Sequence, residues 1–570
     1  MIDYVAQVAV FVALFAILAS SYSILLGTAG TFSAAHAAFF GTGAYTSALL
    51  VTRTGMAFPL DMLLAGAAAF LLGLLVSVPL SRLPGEAVLV ASLALQLVFL
   101  SVLDNAVGIT GGTAGLYAIT RPELFGQLVV RPVPFAALAV VVAVVLIAAL
   151  RWVESRRANL AMRSARDDLS LALAFGVRPE AGRFLAWSAS SFAAGCAGAV
   201  FARFVGYISP VTFGLDQTLV ILTMLIVGGL GNVWGAAIGA AILVAVPEML
   251  SYLPSVSSAT DQIQLIIYSV VLLAVVMLRP QGLWPERNLT ARRTAAATTA
   301  TETETVETAA EPSGTGTAMP PVSEVTVSGV HKQFGGVRVL QGVDLTLCDD
   351  EVTAILGPNG AGKTTLFNII AGQLRADEGR VLVDGQEATS MRAPERAARG
   401  IARSFQDARL FASFTVYEYL AMAAHARAGG INRLLNRARP AVDETRMRAA
   451  LQRLRLDVAL DDRLTELSYG QQKLLILAAM ALWDAPVLLL DEIAAGLDAR
   501  STREVAELVR SLRKPGRVIC LVEHNLEFVW AAADRIVLLG EGRIIADGTP
   551  GEIRQDPQAF ATYFGKAQWA

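Results

Sequence analysis

The sequence predicts a polytopic α-helical membrane domain of eight to nine spans followed by an α/β P-loop domain. Three observations carry that expectation. The chain has 570 residues, 54% hydrophobic and only 16% charged, against about 25% charged in an ordinary soluble domain. The charge deficit is one-sided, since no lysine occurs before Lys332. Between Phe334 and His524, short polar motifs follow apolar runs in one fixed order. A chain of this length exceeds a single domain.

The spans follow from charge-free stretches. No Asp, Glu, Lys or Arg lies between Asp3 and Arg53, and similar runs cover 62–81, 87–103, 132–150, 184–202, 217–247 and 262–278. Each is near the roughly 20 apolar residues that cross a bilayer as a helix. Spans are expected at about 5–26, 33–51, 60–80, 87–103, 133–150, 184–205, 213–230, 233–250 and 262–278. The first apolar run lacks a basic leader and continues into more membrane sequence, so it reads as a span and not a signal peptide. Arg151, Arg156, Arg157, Arg163 and Arg166 put the 151–183 loop on the cytoplasmic side. Arg279, Arg287, Arg292 and Arg293 do the same for the end of the block, four spans later. The N-terminus changes sides if Ser33–Val51, with Gly41 and Gly43 inside it, re-enters instead of crossing.

Small and polar residues add detail. Gly231, Gly235 and Gly239 form a double GxxxG expected on one helical face, where it serves packing within the chain. Gly27–Gly30 with Ser33, His36 and Gly41–Tyr45, and again Thr110-Gly111-Gly112-Thr113, read as interrupted segments of the kind that line polar cavities. His36, among Ala and Phe, reads first as a hydrogen-bonded interior residue and only then as a substrate contact. Arg203, Asp216 and Glu248 sit near span ends and are expected at the interface. The 151–183 loop carries Asp167, Asp168, Leu169, Leu171 and Leu173 before Gly176 and Pro179. Such a helix lies on the headgroups or docks on a soluble domain, and the P-loop domain downstream favours docking.

Residues 1–287 thus form the expected membrane domain and 323–570 the P-loop domain. Between them, 288–322 is rich in Thr, Ala, Glu, Pro and Gly and reads as a disordered linker. A net charge of −2 gives no support for a nucleic-acid partner. Cys196, Cys348 and Cys520 have neither metal-ligand nor disulfide spacing.

Gly357-Pro358-Asn359-Gly360-Ala361-Gly362-Lys363-Thr364, followed by Thr365, matches the P-loop pattern between an apolar strand (Val352–Leu356) and a helix through Leu366–Ile370. Backbone N–H groups at a helix N-terminus favour phosphate, Lys363 suits the β- and γ-phosphates of ATP, and the Thr364 hydroxyl suits Mg²⁺. The run Val487–Leu490 reads as a buried parallel strand that delivers Asp491 to Mg²⁺. Glu492 then stands as the base that accepts a proton from the attacking water.

Leu467-Ser468-Tyr469-Gly470-Gln471-Gln472 resembles the signature motif of the ABC superfamily. What that resemblance implies is a γ-phosphate contact through Ser468, Gly470 and Gln471, made to ATP on an opposing ATPase. Gln406 in Ser404-Phe405-Gln406 resembles the Q-loop that senses Mg²⁺ and water. Asp498 in Gly496-Leu497-Asp498 resembles the D-loop, and His524 after Val522-Glu523 the switch histidine. Phe334, before Gly335-Gly336, fits the aromatic that stacks on adenine. Ile493 and Tyr469 depart from a usual proline and glycine, at no catalytic position.

The whole chain resembles the branched-chain amino acid (Liv-type) ABC importers. Ser33–Gly41 through Tyr45, Thr110-Gly111-Gly112, Gly228–Asn232 and Arg279–Leu283 carry the permease likeness. The tyrosine-containing signature, Asp547–Pro550, Asp556-Pro557 and Tyr563–Gly565 carry the ATPase likeness. The resemblance implies an ATP- and Mg²⁺-dependent importer of hydrophobic amino acids, or of urea, amides or aromatic acids. It also implies a second homologous permease, a second ABC ATPase, an extracytoplasmic substrate-binding protein and membrane lipid as partners. The expected location is the bacterial cytoplasmic (inner) membrane, multi-pass, with the ATPase in the cytoplasm. Export is the competing reading, because exporters also fuse a membrane half ahead of an ATPase. A membrane-tethered ATPase without transport fits less well, since a tether needs only one or two spans.

Overall fold

A computed structural model describes residues 2–81, 83, 85–124, 127–250, 270, 273–274, 277–279, 281–286, 319–425, 444–497 and 499–556. The described chain forms two compact units. One contains residues 1–166 and 179–287; the other contains 167–178 together with the C-terminal α/β part. The predicted linker falls outside the described residues except for 319–322, and Val322 is already buried in the core of the second unit.

Among the described residues of the first unit, five helices are long and apolar enough to cross a membrane: Ile2–Thr28, Leu60–Leu80, Gly85–Asn105, Pro132–Glu154 and Pro179–Val205. Leu215–Gly228 and Val233–Ala245 add one more as a pair bent by 115°. The expected span at 33–51 is the unbroken helix His36–Thr54, and the span expected at 262–278 lies largely outside the described residues.

Three expectations are corrected. Gly41 and Gly43 do not interrupt a helix; they are contact points. A Cβ on Gly43 would overlap the backbone of Gly195, and one on Gly41 would meet Phe99 and Phe213. Small residues let backbones approach, and the helix Pro179–Val205 uses Gly195 and Gly198 in this way against both Leu60–Leu80 and His36–Thr54. Gly231, in turn, does not share a face with Gly235 and Gly239. It precedes the helix with φ +75°, and Asn232 Oδ1 caps that helix by accepting from Trp234 and Gly235 N–H. Gly235 and Gly239 then pack against Gly228 and Met224 of the preceding helix, so the packing is within the chain as expected.

The third correction is Arg203. It is 3% exposed, and its Nε lies 3.0 Å from Oδ2 of Asp61, which is itself fully buried. Ser47 Oγ donates to the same oxygen at 2.6 Å, and Arg203 Nη2 donates to the Met56 carbonyl at 2.7 Å. Proximity to a span end in sequence does not reveal a carboxylate arriving from another helix. Breaking a buried pair from one side costs about 3–5 kcal/mol because a charge is left uncompensated. Arg203→Met should therefore lower the thermal unfolding midpoint in detergent sharply. Asp61→Asn combined with Arg203→Met should recover part of the loss.

The break after the first helix is real. Residues 29–35 are not helical, Gly30 has φ +65°, and His36 is buried at the next helix start. Its Nε2 is 3.0 Å from Ser21 Oγ and its ring stacks on Tyr22 at 4.6 Å. That is the interior reading. The Thr110–Thr113 stretch is a second break, with Gly111 and Gly112 both at positive φ. The stretches 228–232 and 281–284 meet each other: Leu283 and Trp284 N–H donate to the carbonyls of Val227 and Gly228, each at 3.0 Å. Glu286 beyond them pairs with Arg163 (2.9 Å) and Arg166 (3.0 Å), tying the helix that starts at Arg157 to this unit.

In the second unit a six-stranded sheet runs, edge to edge, Arg543–Gly548, Arg535–Gly540, Val352–Leu356, Val518–Val522, Val487–Asp491 and Ile401–Arg403. All neighbours are parallel except the first pair. The central strands are buried at every residue, as strands covered on both faces must be. A four-stranded antiparallel sheet, built mainly from Glu324–Phe334, Val337–Cys348 and Glu378–Val383, shares their core. Residues 167–178 complete this unit with the short helix Leu169–Ala174, capped by Asp168, whose Oδ1 accepts from Leu171 N–H at 2.9 Å.

Candidate nucleotide site

Parallel strands deliver their C-terminal ends to one edge of a sheet, where ligands of α/β folds bind. Val352–Leu356 leads into residues 357–364, Ile401–Arg403 into 404–406, Val487–Asp491 into Glu492, and Val518–Val522 into Glu523 and His524. The register is direct: Val522 lies opposite both Ile355 and Asp491. Motifs far apart in sequence are thereby collected by topology.

The P-loop ends at Gly362, whose φ of +102° suits glycine alone. A Cβ there would also strike Leu340. A Cβ on Gly360 would meet nothing within 4 Å, so the loop borders open space on that side. The helix Lys363–Ile370 follows at once, pointing its unpaired N–H groups at the loop. Thr364 is exposed and Thr365 half-buried. Lys363 Nζ donates to the carbonyls of Gly357 (2.7 Å) and Pro358 (3.0 Å). Burial pulls this ammonium below its ordinary value, against the attraction of Glu492 and Asp491.

Asp491 is 1% exposed. Its Oδ2 lies 3.2 Å from Arg403 Nη2, and its N–H donates to Ser404 Oγ at 2.7 Å. Arg403 also donates to Gln373 Oε1 at 3.0 Å and to Asn368 Oδ1. Burial pushes the Asp491 carboxyl up, and the guanidinium opposes it. Asp491 Oδ1 is buried with no hydrogen-bond partner among the described residues. An oxygen in that state suits a cation. The three residues expected to serve Mg²⁺, Thr364, Gln406 and Asp491, all offer side-chain oxygens, the donor type this cation takes beside substrate phosphates.

Glu492 has φ +46°, a conformation that costs an L-residue about 1–2 kcal/mol. Its N–H donates to Val522 O at 2.9 Å, and its Oε1 is 3.7 Å from His524 Nδ1. Lys473 Nζ donates to the carbonyls of Gln406 (2.7 Å) and Glu492 (2.9 Å). Glu523 is buried, accepts from Ala494 N–H at 2.8 Å, and burial raises its carboxyl above the ordinary range.

Ser468 opens the helix Tyr469–Trp483 with a capping box: Gln471 N–H donates to Ser468 Oγ, and Ser468 N–H donates to Gln471 Oε1 at 2.9 Å. Ser468 is exposed, and Gly470 leaves ordinary van der Waals room before Leu497. The signature residues thus present a helix N-terminus outward. Phe334 ends the strand Glu324–Phe334 with its ring 47% exposed and Lys332 Nζ 5.4 Å above it. Asp498 lies outside the described residues.

Sequence reasoning missed Arg403, Lys473 and Phe175. Lys473 had left a signal, being the single charged residue of its helix. Phe175, at the end of the helix Leu169–Ala174, stacks on Trp483 at 5.8 Å and meets Tyr419 at 5.5 Å and Phe411 at 6.0 Å. Leu171, Phe175, Arg403, Ser404, Phe405 and Trp483 line one cavity of the second unit. Ser413 N–H donates to Asp167 Oδ2 at 2.7 Å nearby. An apolar neighbourhood beside residues 403–405 thus receives residues 167–178 within the second unit. Leu171 is buried in it, whereas Leu173 is only half-buried.

Comparison with known proteins follows the same division of the chain. Residues 4–278 match the family described as a branched-chain amino acid transport system permease component, and residues 340–495 the ABC transporter family. The C-terminal half is similar to the high-affinity branched-chain amino acid transport ATP-binding protein LivG of Escherichia coli K12. The two are 36% identical over 250 residues, covering 43% of this chain and 98% of LivG. It is 34% identical to BraF of Pseudomonas aeruginosa, of the same description, over 42% of this chain and 97% of that one. It is also 30% identical to the lipopolysaccharide export system ATP-binding protein LptB of Haemophilus influenzae, over 43% of this chain and 98% of LptB.

Proposed function

Because the chain belongs to the ABC transporter family, with a branched-chain-type permease domain and an ATP-hydrolysing ABC domain fused on one polypeptide, we propose that it is a subunit of an importer. Its cargo is a branched-chain or other hydrophobic amino acid, or a related small solute such as urea, an amide or an aromatic acid. One observation carries the reading: the two halves independently match parts of the same kind of transport system. The LptB likeness favours export, yet it is confined to the ATPase half and is weaker there than the LivG likeness.

In this reading residues 1–287 form the permease with eight or nine spans. His36–Thr54 and each limb of the bent pair cross separately, and 262–278 supplies the ninth. Residues 288–322 are the tether and 323–570 the ATPase. The complex sits in the bacterial cytoplasmic membrane with the ATPase in the cytoplasm. A second permease, a second ABC ATPase and an extracytoplasmic binding protein complete it, and the exposed Ser468 with the half-buried Gly470 and Gln471 addresses ATP held by the second ATPase, with Asp498 serving the same junction.

The residues divide the work by position. Backbone N–H groups of 357–365 cradle the phosphates, Phe334 stacks on the base, and phosphate oxygens compete with the Gly357 and Pro358 carbonyls for Lys363. Thr364, Gln406 and Asp491 would hold Mg²⁺, which would offset phosphate charge. Glu492 takes the proton of the attacking water, with His524 beside its carboxylate. Gln406 orients that water.

The test is uptake. The complex, purified through a tag on this chain from its native membrane and placed in proteoliposomes with its binding protein, should concentrate labelled leucine in an ATP-dependent manner. Parallel arms with urea, a short amide and benzoate identify the solute class. Efflux of a lipid or other solute, with no member of this panel imported, would replace import by export.

A further inference from the structure

Lys473 is buried, 2% exposed, one turn into the helix that Ser468 opens. Its ammonium has two carbonyl acceptors: Gln406 at 2.7 Å and Glu492 at 2.9 Å. Those residues follow different strands of the sheet, Ile401–Arg403 and Val487–Asp491. One side chain of the signature helix therefore fastens both loops at the site.

We propose that Lys473 is a positioning residue for ATP hydrolysis, holding Gln406 and Glu492 in one frame and making both follow the first turn of the signature helix. The proposal rests on the roles given above to Gln406 and Glu492. The backbone of Glu492 explains the need. At φ +46° it occupies a conformation that a glutamate leaves readily. Val522 O holds its N–H, and Lys473 holds its C=O, so the peptide groups on both sides of Cα are pinned and the carboxylate direction is fixed. Without the ammonium, two carbonyls lose their charge-assisted donor. Glu492 can then relax to negative φ, which turns its carboxylate away from His524.

The same bond gives the signature helix a lever on its own subunit's site. Ser468 and Lys473 lie on one rigid helix, so a phosphate drawn to the exposed N-terminus displaces the ammonium along with it. Gln406 and Glu492 move in register with that displacement. Tyr469, which stands where a glycine is usual, places its ring 5.4 Å from the same ammonium and packs its edge toward Gly496.

Lys473→Met keeps the length of the side chain and removes the donor; Lys473→Arg keeps a buried donor pair. In the transporter purified through a tag on this chain, Lys473→Met should lower kcat at least about tenfold while KM and the affinity for a fluorescent ATP analogue stay within about threefold. Lys473→Arg should recover turnover to within about threefold of wild type. In a Glu492→Gln background, Lys473→Met should remove less than about threefold of the residual rate, because the carboxylate it positions is gone and only its hold on Gln406 is left to lose. Wild-type turnover in Lys473→Met, beside a dead Glu492→Gln, would overturn the proposal alone. So would a further tenfold loss in the double variant, or equal losses of nucleotide affinity and thermal midpoint in both Lys473 variants. Wild-type turnover in Glu492→Gln itself would remove the premise, and the proposal with it.

Discussion

Glu492→Gln is expected to cut ATP turnover by about two to four orders of magnitude, the range contributed by a positioned general base, while ATP binding survives. The substitution preserves size and leaves both backbone hydrogen bonds of residue 492 in place, so the P-loop has no reason to move. What disappears is the basic oxygen 3.7 Å from His524 Nδ1. Neither neighbouring carboxylate takes over. Asp491 is engaged by Arg403 and buried, and Glu523 is buried against Ala494 N–H. Steady-state phosphate release and nucleotide binding, measured on the same preparation, separate the two effects. Hydrolysis within about threefold of wild type would assign the base elsewhere.

Phe175→Asp is expected to abolish solute uptake with ATP binding intact. The ring of Phe175 lies among Phe411, Tyr419 and Trp483. Truncating such a buried phenylalanine costs about 3–5 kcal/mol, and a carboxylate placed there adds the penalty of an unpaired buried charge. The same cavity is lined by Arg403 and Ser404, whose side chains bond Asp491. Movement of residues 167–178 thus has a short path to the phosphate end of the sheet. Leu173→Asp, at a half-buried position, serves as the milder comparison, and the proteoliposome assay reads uptake per ATP hydrolysed. An unchanged ratio in Phe175→Asp would mean that this segment merely packs and transmits nothing.

How much of this was legible in the chain depended on whether a residue's role is local. The P-loop, Asp491 and Glu492 each follow an apolar run within a few residues, and strands Val352–Leu356 and Val487–Asp491 fall where the runs predicted. Arg403 and Lys473 act across the sheet, on partners 88 and 67 residues away, and no pattern along the chain encodes such a meeting. Arg203 misled for a related reason. An arginine at the end of an apolar run normally reaches for water, and only the arrival of Asp61 from another helix makes burial tolerable. The helix breaks at Gly30 and Gly111 were readable from glycine clusters, but Gly41 and Gly43 look the same in sequence and serve close packing instead.

The placement of residues 167–178 in the second unit sets an order of assembly. This segment leaves the ribosome long before the strand Glu324–Phe334 exists, so Leu171 and Phe175 are made before the core that buries them. Domains fold as they emerge, N-terminal first, and an amphipathic helix without its core rests well on a lipid surface. Burial of Leu171 and Phe175 therefore waits on synthesis of the C-terminal half of the same chain.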